Sequence, residues 1–76
     1  MIRWKLKEIM ARYDITNIDL AKELDMRPAS ISYWRNSKTI PGIGGEKLVD
    51  LCAALSKLAG TTIHFSELYE EEAVSV

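Results

Sequence analysis

The chain has 76 residues, of which 47% are hydrophobic and 28% charged, and its formal net charge is −1. A chain of this length forms one small domain that buries only ~60% of the surface of its unfolded state, so it gains from association. The single cysteine, Cys52, excludes an internal disulfide and disfavours the secreted, disulfide-rich class. Neither a signal-peptide pattern nor an apolar run of ~20 residues is found, so we expect a soluble, cytoplasmic protein.

The net charge hides an uneven distribution along the chain. Residues 1–60 hold all ten Lys and Arg against seven acids, whereas residues 61–76 hold four Glu and no cation. The window 26–40 contains Arg27, Arg35 and Lys38 and no acid. A polyanionic partner would respond to this local field and not to the total charge. Three cations are also typical of a solvated helix surface, so the pattern needs a structural context.

Apolar residues first recur with helical spacing near the start of the chain. Leu6, Ile9, Met10 and Tyr13 stand at i, i+3, i+4 and i+7. This spacing predicts a first helix with one buried stripe, ending near Asp14.

A second helix is predicted over residues 16–24. Thr16, followed three residues later by Asp19, resembles a capping box with Asp in place of the usual Glu or Gln. Leu20, Ala21 and Leu24 form the apolar stripe, and the small side chain of Ala21 permits a close helix crossing.

A tight turn at residues 25–27 separates this helix from a third, predicted over residues 28–36. Pro28 suits the first helical position, where its missing N–H costs nothing. Ile31 and Trp34 form an apolar stripe at i, i+3, so the second and third helices can face one core.

The fourth helix is predicted to be the longest and to end near Ala59. Pro41 and the glycines of residues 42–45 break the chain before it, and Gly60 is its natural C-terminal cap. Its apolar stripe consists of Leu48, Leu51, Cys52, Leu55 and Leu58.

The two ends of the chain are less regular. Residues 1–6 alternate apolar and basic side chains, and residues 61–65 are rich in β-branched residues, so a short strand pairing between them is an open alternative. We expect one domain over residues 1–69 and an acidic tail over residues 70–76.

Taken together, these elements resemble the phage-repressor helix-turn-helix DNA-binding domain, the lambda-repressor-like or XRE type. Residues 48–55 resemble that family's fourth helix and residues 65–69 its short fifth. The resemblance implies an all-α, five-helix fold, with the terminal strand pairing left open. The matching positions are Leu20-Ala21, Leu24, Met26, Pro28, Ser30-Ile31-Ser32, Trp34, Asn36 and Pro41.

The sequence departs from the family pattern at three points. Asp25 stands where Gly is usual in the turn, and Asp can enter the left-handed region at modest cost. Arg35 stands where Glu is common, so the usual internal ion pair is absent or reversed. The segments 42–45 and 57–62 are a few residues longer than usual.

The resemblance assigns base reading to four positions of the third helix and to the residue before it. These five residues are Arg27, Pro28, Ala29, Ser32 and Tyr33. With Ile31 and Trp34 pointing inward, the opposite side of the helix would also expose Asn36. Arg27 could bond a guanine edge in bidentate fashion, whereas Pro28 and Ala29 could only contact thymine methyl groups. Sequence readout would therefore depend on Arg27, apolar contacts and DNA shape.

Phosphate contacts are predicted on both sides of that helix. Asn17, beside the N-terminal N–H groups of the second helix, suits a phosphate oxygen. Ser30 can act likewise, and Ser37, Lys38 and Thr39 follow the third helix. For Arg35, which lies outside these two groups, internal pairing with an acid is at least as well supported as a phosphate contact.

The resemblance implies a DNA-binding transcriptional regulator, a repressor that binds a pseudo-palindromic operator as a homodimer. We expect the dimer contact in the C-terminal third, where the apolar pattern continues beyond what the preceding helices need, with Ile2 and Trp4 as the alternative contact. The residues of this continued pattern are Leu55, Leu58, Ala59 and Ile63. Alternatives are the antitoxin of a toxin–antitoxin pair, which also holds a protein toxin, and an interaction module that has lost DNA binding. His64 has no second ligand at metal-binding spacing, and no catalytic set can be assembled. We therefore expect no enzyme activity, metal or cofactor.

Overall fold

Four α-helices and a two-stranded antiparallel sheet make up the computed structural model, which describes residues 2–71. The predicted third and fourth helices are confirmed. The first is shorter than predicted, because Tyr13 caps it and Asp14 adopts a positive φ of 57°. The elements in chain order are β1 (Ile2–Trp4), α1 (Leu6–Arg12), α2 (Asn17–Leu24), α3 (Pro28–Asn36), α4 (Gly45–Ala59), a short 3₁₀ helix η1 (Phe65–Glu67) and β2 (Tyr69–Glu71).

Local sequence chemistry defines the helix-turn-helix unit of α2 and α3. The hydroxyl of Thr16 accepts a hydrogen bond from the backbone N–H of Asp19 at 3.1 Å, which confirms the predicted N-cap. Asp25 ends α2 in the left-handed conformation, with φ 53° and ψ 48°. Pro28 occupies the first turn of α3. The departure from Gly at position 25 therefore leaves the turn intact.

The four helices and both ends of the chain share one hydrophobic core. It includes the predicted stripes of α1, α2 and α3, and it also takes in Trp4 from β1 and Leu68 from the segment before β2. The seven largest fully buried side chains are Leu6, Ile9, Leu20, Ile31, Leu51, Leu55 and Leu68.

The small sheet confirms a strand pairing near the two ends of the chain, but only the first of the two segments that the sequence suggested takes part in it. Residues 2–4 pair with residues 69–71, with Trp4 opposite Tyr69. Residues 61–65 are held elsewhere, because the N–H of Ile63 donates to the hydroxyl of Ser56 on α4 at 2.8 Å and the Ile63 side chain is buried in the core. The expected partner segment was therefore wrong.

Opposite charges support the strand pairing at the surface. The guanidinium of Arg3 donates to the carboxylates of Glu70 at 2.6 Å and Glu8 at 2.5 Å. The hydrogen bond from Arg3 holds the pKa of Glu70 below its usual value. Glu70 and Glu71, which the sequence placed in the acidic tail, lie in β2, and residues 72–76 of that tail lie outside the described residues.

A fifth α-helix near residues 65–69 is not found. The carboxylate of Glu67 accepts from the N–H of His64 at 2.7 Å and closes a single 3₁₀ turn. The chain then extends, because Leu68 enters the core and its carbonyl accepts from the N–H of Lys5 at 2.7 Å. The fold is thus mostly helical with a sheet, and the expected five-helix, all-α architecture is corrected to four helices.

None of the helices within residues 2–71 is long and apolar enough to cross a membrane.

Replacing Asp25 with Gly is expected to stabilise the domain. A left-handed conformation strains a residue with a Cβ and is neutral for Gly, so Asp25→Gly should raise the free energy of unfolding by ~0.5–1 kcal/mol, while Asp25→Ala should lower it by a similar amount. Urea unfolding followed by tryptophan fluorescence measures both. A loss of stability in Asp25→Gly would show that the Asp25 side chain contributes more than its backbone strain costs.

Candidate nucleic-acid interface

The outer face of α3 is the candidate surface for reading bases. Ile31 and Trp34 point into the core, with 0% and 8% of their surface exposed. Ala29 and Tyr33 lie on the opposite side, and Ser32 is half-buried beside them. Tyr33 is 68% exposed, so most of its aromatic side chain is open to solvent. The helix therefore presents small side chains around one accessible aromatic ring.

The N-terminal end of α3 carries a cation. Arg27 is the N-cap residue; it is exposed, and its side chain makes no capping hydrogen bond. Pro28 follows in the first turn, which contains no acid. In the described part of the chain no carboxylate pairs with Arg27. Its guanidinium is thus available at the helix end where the macrodipole is positive and attracts anions.

At the C-terminal end of α3, some of the predicted contact residues are bonded within the helix. The amide of Asn36 donates to the hydroxyl of Ser32 at 3.3 Å, and the hydroxyl of Ser37 donates to the carbonyl of Tyr33 at 2.8 Å. Ser37 therefore uses its proton to close the helix. Lys38 and Thr39 are exposed beyond it.

The second set of residues predicted to contact phosphates lies on α2 and at the start of α3. Asn17 is the first residue of α2, and its Oδ1 is buried without a hydrogen-bond partner in the described structure. Ser30 is half-buried. Next to Asn17, Ile18 is 58% exposed, and sequence reasoning missed it. The sequence signal that could have identified Ile18 as exposed is its position outside the apolar stripe of α2.

Hydrogen bonds from β1 hold the C-terminal end of α3. The indole Nε1 of Trp4 donates to the backbone carbonyl of Trp34 at 2.8 Å, in a buried position. The N–H of Trp4 also donates to the carbonyl of Lys38 at 3.0 Å. These two bonds fix both the last turn of α3 and the loop that follows it. Trp4 is a core residue and not a contact for a second molecule.

Arg35 does not pair with an acid in the part of the chain that the structure describes. Its side chain is half-buried, and its Nε is buried without a hydrogen-bond partner. Internal pairing, which the sequence left open, is therefore not what holds this side chain.

The structure also locates the residues of the predicted dimer contact in the C-terminal third of the chain. Leu55 and Ile63 are 0% and 3% exposed, so these two residues belong to the core and cannot form the dimer contact that their pattern suggested. Leu58 and Ala59 are partly buried against the same core. Burial raises the pKa of the Cys52 thiol above its usual value.

Comparison with known proteins agrees with this geometry. Residues 5–57, more than half of the chain, match the family model of the Cro/C1-type HTH DNA-binding domain. The chain belongs to this family, and its domain is a DNA-binding helix-turn-helix. Neither the curated proteins nor the solved structures yield a match. The matched segment contains α1 to α3 and most of α4, whereas both strands of the sheet lie outside it.

Proposed function

We propose that this protein is a transcriptional repressor that binds a pseudo-palindromic operator as a homodimer. The observation that carries the proposal is the outer face of α3, which presents Tyr33 and small residues behind the cation of Arg27. An α-helix of this kind fits the major groove of B-DNA, where the N-terminal residues of a recognition helix meet base edges. Occupying a promoter in this way blocks transcription.

Each residue of the proposed interface has a distinct task. Arg27 bonds the O6 and N7 atoms of a guanine, and Tyr33 stacks on or hydrogen-bonds to a neighbouring base. Pro28 and Ala29 contact thymine methyl groups, and Ser32 bonds without strong discrimination. The residues that position the protein on phosphates are Asn17, Ser30, Asn36, Lys38 and Thr39.

Dimerisation is proposed because one recognition helix makes too few contacts for specific binding. A two-fold pair would place its half-sites ~10 base pairs apart, centre to centre. Support comes from an apolar patch on α4 and η1, formed by Leu48, Val49, Cys52 and Phe65 around a groove of about 470 Å³. Val49 is 69% exposed and Phe65 is 38% exposed. This α4–η1 patch replaces Leu55 and Ile63 as the proposed contact.

The test of DNA reading begins with selection of bound duplexes from a random pool, which we expect to yield a two-fold symmetric site. On that site Arg27→Ala should cost ~1–3 kcal/mol and reduce discrimination at one or two base pairs. Lys38→Ala should instead weaken binding to matched and scrambled duplexes about equally, because a phosphate contact carries no sequence information.

Fluorescence anisotropy with both duplexes measures these changes in affinity. An equal decrease on both duplexes for Arg27→Ala would make Arg27 a phosphate contact only. A wild-type protein that enriches no duplex would contradict the proposed function and favour a protein-interaction module.

The α4–η1 patch can be tested by Val49→Glu. A charge at this exposed position should split the dimer without reducing the free energy of unfolding, because in the monomer the Glu side chain reaches water. Sedimentation velocity at high micromolar concentration gives the oligomeric state. Ile18→Glu, which changes another exposed apolar residue outside the patch, is the control and should leave the dimer unchanged. A Val49→Glu protein that still dimerises would place the interface elsewhere.

A further inference from the structure

We propose that a cleft between β1, α1 and the C-terminal end of α3 is a phosphate-binding site formed by Lys7, Arg35 and Lys38. It would hold one phosphate of the DNA backbone next to the recognition helix. The inference rests on the proposed function and adds two residues, Lys7 and Arg35, to the surface that contacts DNA.

The cleft is a defined feature of the fold. It has a volume of about 420 Å³. The buried ring of Trp4 contributes to its wall. The two hydrogen bonds from Trp4 to Trp34 and Lys38 fix the distance between its sides. The residues that line it are Arg3, Trp4, Lys7, Glu8, Arg35, Asn36, Ser37 and Lys38.

The charge of the cleft favours an anion. Four of its lining residues are cations and one, Glu8, is an acid. That acid already accepts a hydrogen bond from Arg3 at 2.5 Å, and Arg3 is bonded to Glu70 as well. Within residues 2–71 no acid pairs with Lys7, Arg35 or Lys38. The three remaining cations therefore face one space with no counter-charge of their own.

Arg35 supplies an independent observation. Its Nε is buried and donates to no acceptor in the described structure. A buried donor is costly to leave unpaired, and a guanidinium has five N–H donors and no acceptor. Phosphate oxygens match this fork in bidentate fashion. The guanidinium of Arg35 lines the cleft without an acid partner among the described residues, so a phosphate there would meet a cation that the protein does not neutralise.

The position of the cleft selects the DNA backbone as the source of the phosphate. Lys38 directly follows the last turn of α3, and a helix that lies in the major groove brings its flanking segments against the sugar-phosphate strands. Lys7 on α1 would meet the same phosphate from the other side.

The experiment compares wild-type protein with Arg35→Gln and Lys7→Gln on the selected duplex at several salt concentrations. Each variant should bind ~5–10-fold more weakly, and the slope of log affinity against log salt should fall by ~0.9 for each phosphate that the variant no longer neutralises. Lys47→Gln removes one exposed cation from α4, outside the cleft, and should change neither quantity. If Arg35→Gln does not fold, as judged by circular dichroism, the exposed position of Lys7 keeps the test available.

Unchanged affinity and slope in both cleft variants, with wild-type protein bound to DNA, would overturn the phosphate site and leave the proposed function intact. If wild-type protein binds no duplex, titration with inorganic phosphate decides by NMR. Amide shifts confined to residues 35–38 and Lys7, and abolished in Arg35→Gln, would support a site for free phosphate. No such shifts would overturn the site itself.

Discussion

The hydrogen bond from the indole of Trp4 to the carbonyl of Trp34 connects β1 to α3, the helix that we propose reads DNA. It joins β1 to the last turn of α3, where the same carbonyl also accepts from the N–H of the C-cap residue Ser37 at 3.3 Å. Trp4 is also only 5% exposed and belongs to the core, so the same residue packs the core and positions the end of α3. Loss of a buried Trp side chain typically costs ~3–5 kcal/mol, a large part of the stability of a small domain.

The strand that carries Trp4 also affects where the charged side chains lie. Arg3 precedes Trp4 in β1 and bonds to Glu8 and, across the sheet, to Glu70. Glu70 of β2 is thereby paired with Arg3 at the sheet, while the window from residue 26 to residue 40 keeps its cations and has no acid. A chain with a net charge of −1 can therefore present a positive surface around its recognition helix.

Local chemistry in the sequence was sufficient to predict the helix-turn-helix. The Thr16 cap, Pro28 in the first turn of α3 and the left-handed Gly60 act over three or four residues, and each is found as expected. The ability of Asp to enter the left-handed region also predicted that the turn would tolerate Asp25 in place of Gly. The exposed face of α3 followed from the inward positions of Ile31 and Trp34, so most of the candidate interface could also be predicted.

Contacts between distant parts of the chain could not be predicted in this way. The pairing of β1 with β2 joins residues almost 70 positions apart, and the composition of residues 69–71 does not mark them as a strand, whereas residues 61–65 are rich in β-branched residues. The apolar pattern beyond α4 predicts Ile63 at the dimer contact, but its N–H bonds to Ser56 and its side chain is buried in the core. The cleft beside Arg35 depends on β1 reaching the end of α3, and spacing within one helix carries no information about that.

The central claim is that the outer face of α3 and the segment after it meet duplex DNA. Titration of ¹⁵N-labelled protein with a duplex selected from a random pool tests it most directly, because every backbone amide other than those of proline reports its own environment. The account predicts that the largest chemical-shift changes fall on Arg27, Ala29, Ser32, Tyr33 and residues 36–39. Changes concentrated instead on α4 and η1, with α3 unaffected, would contradict it.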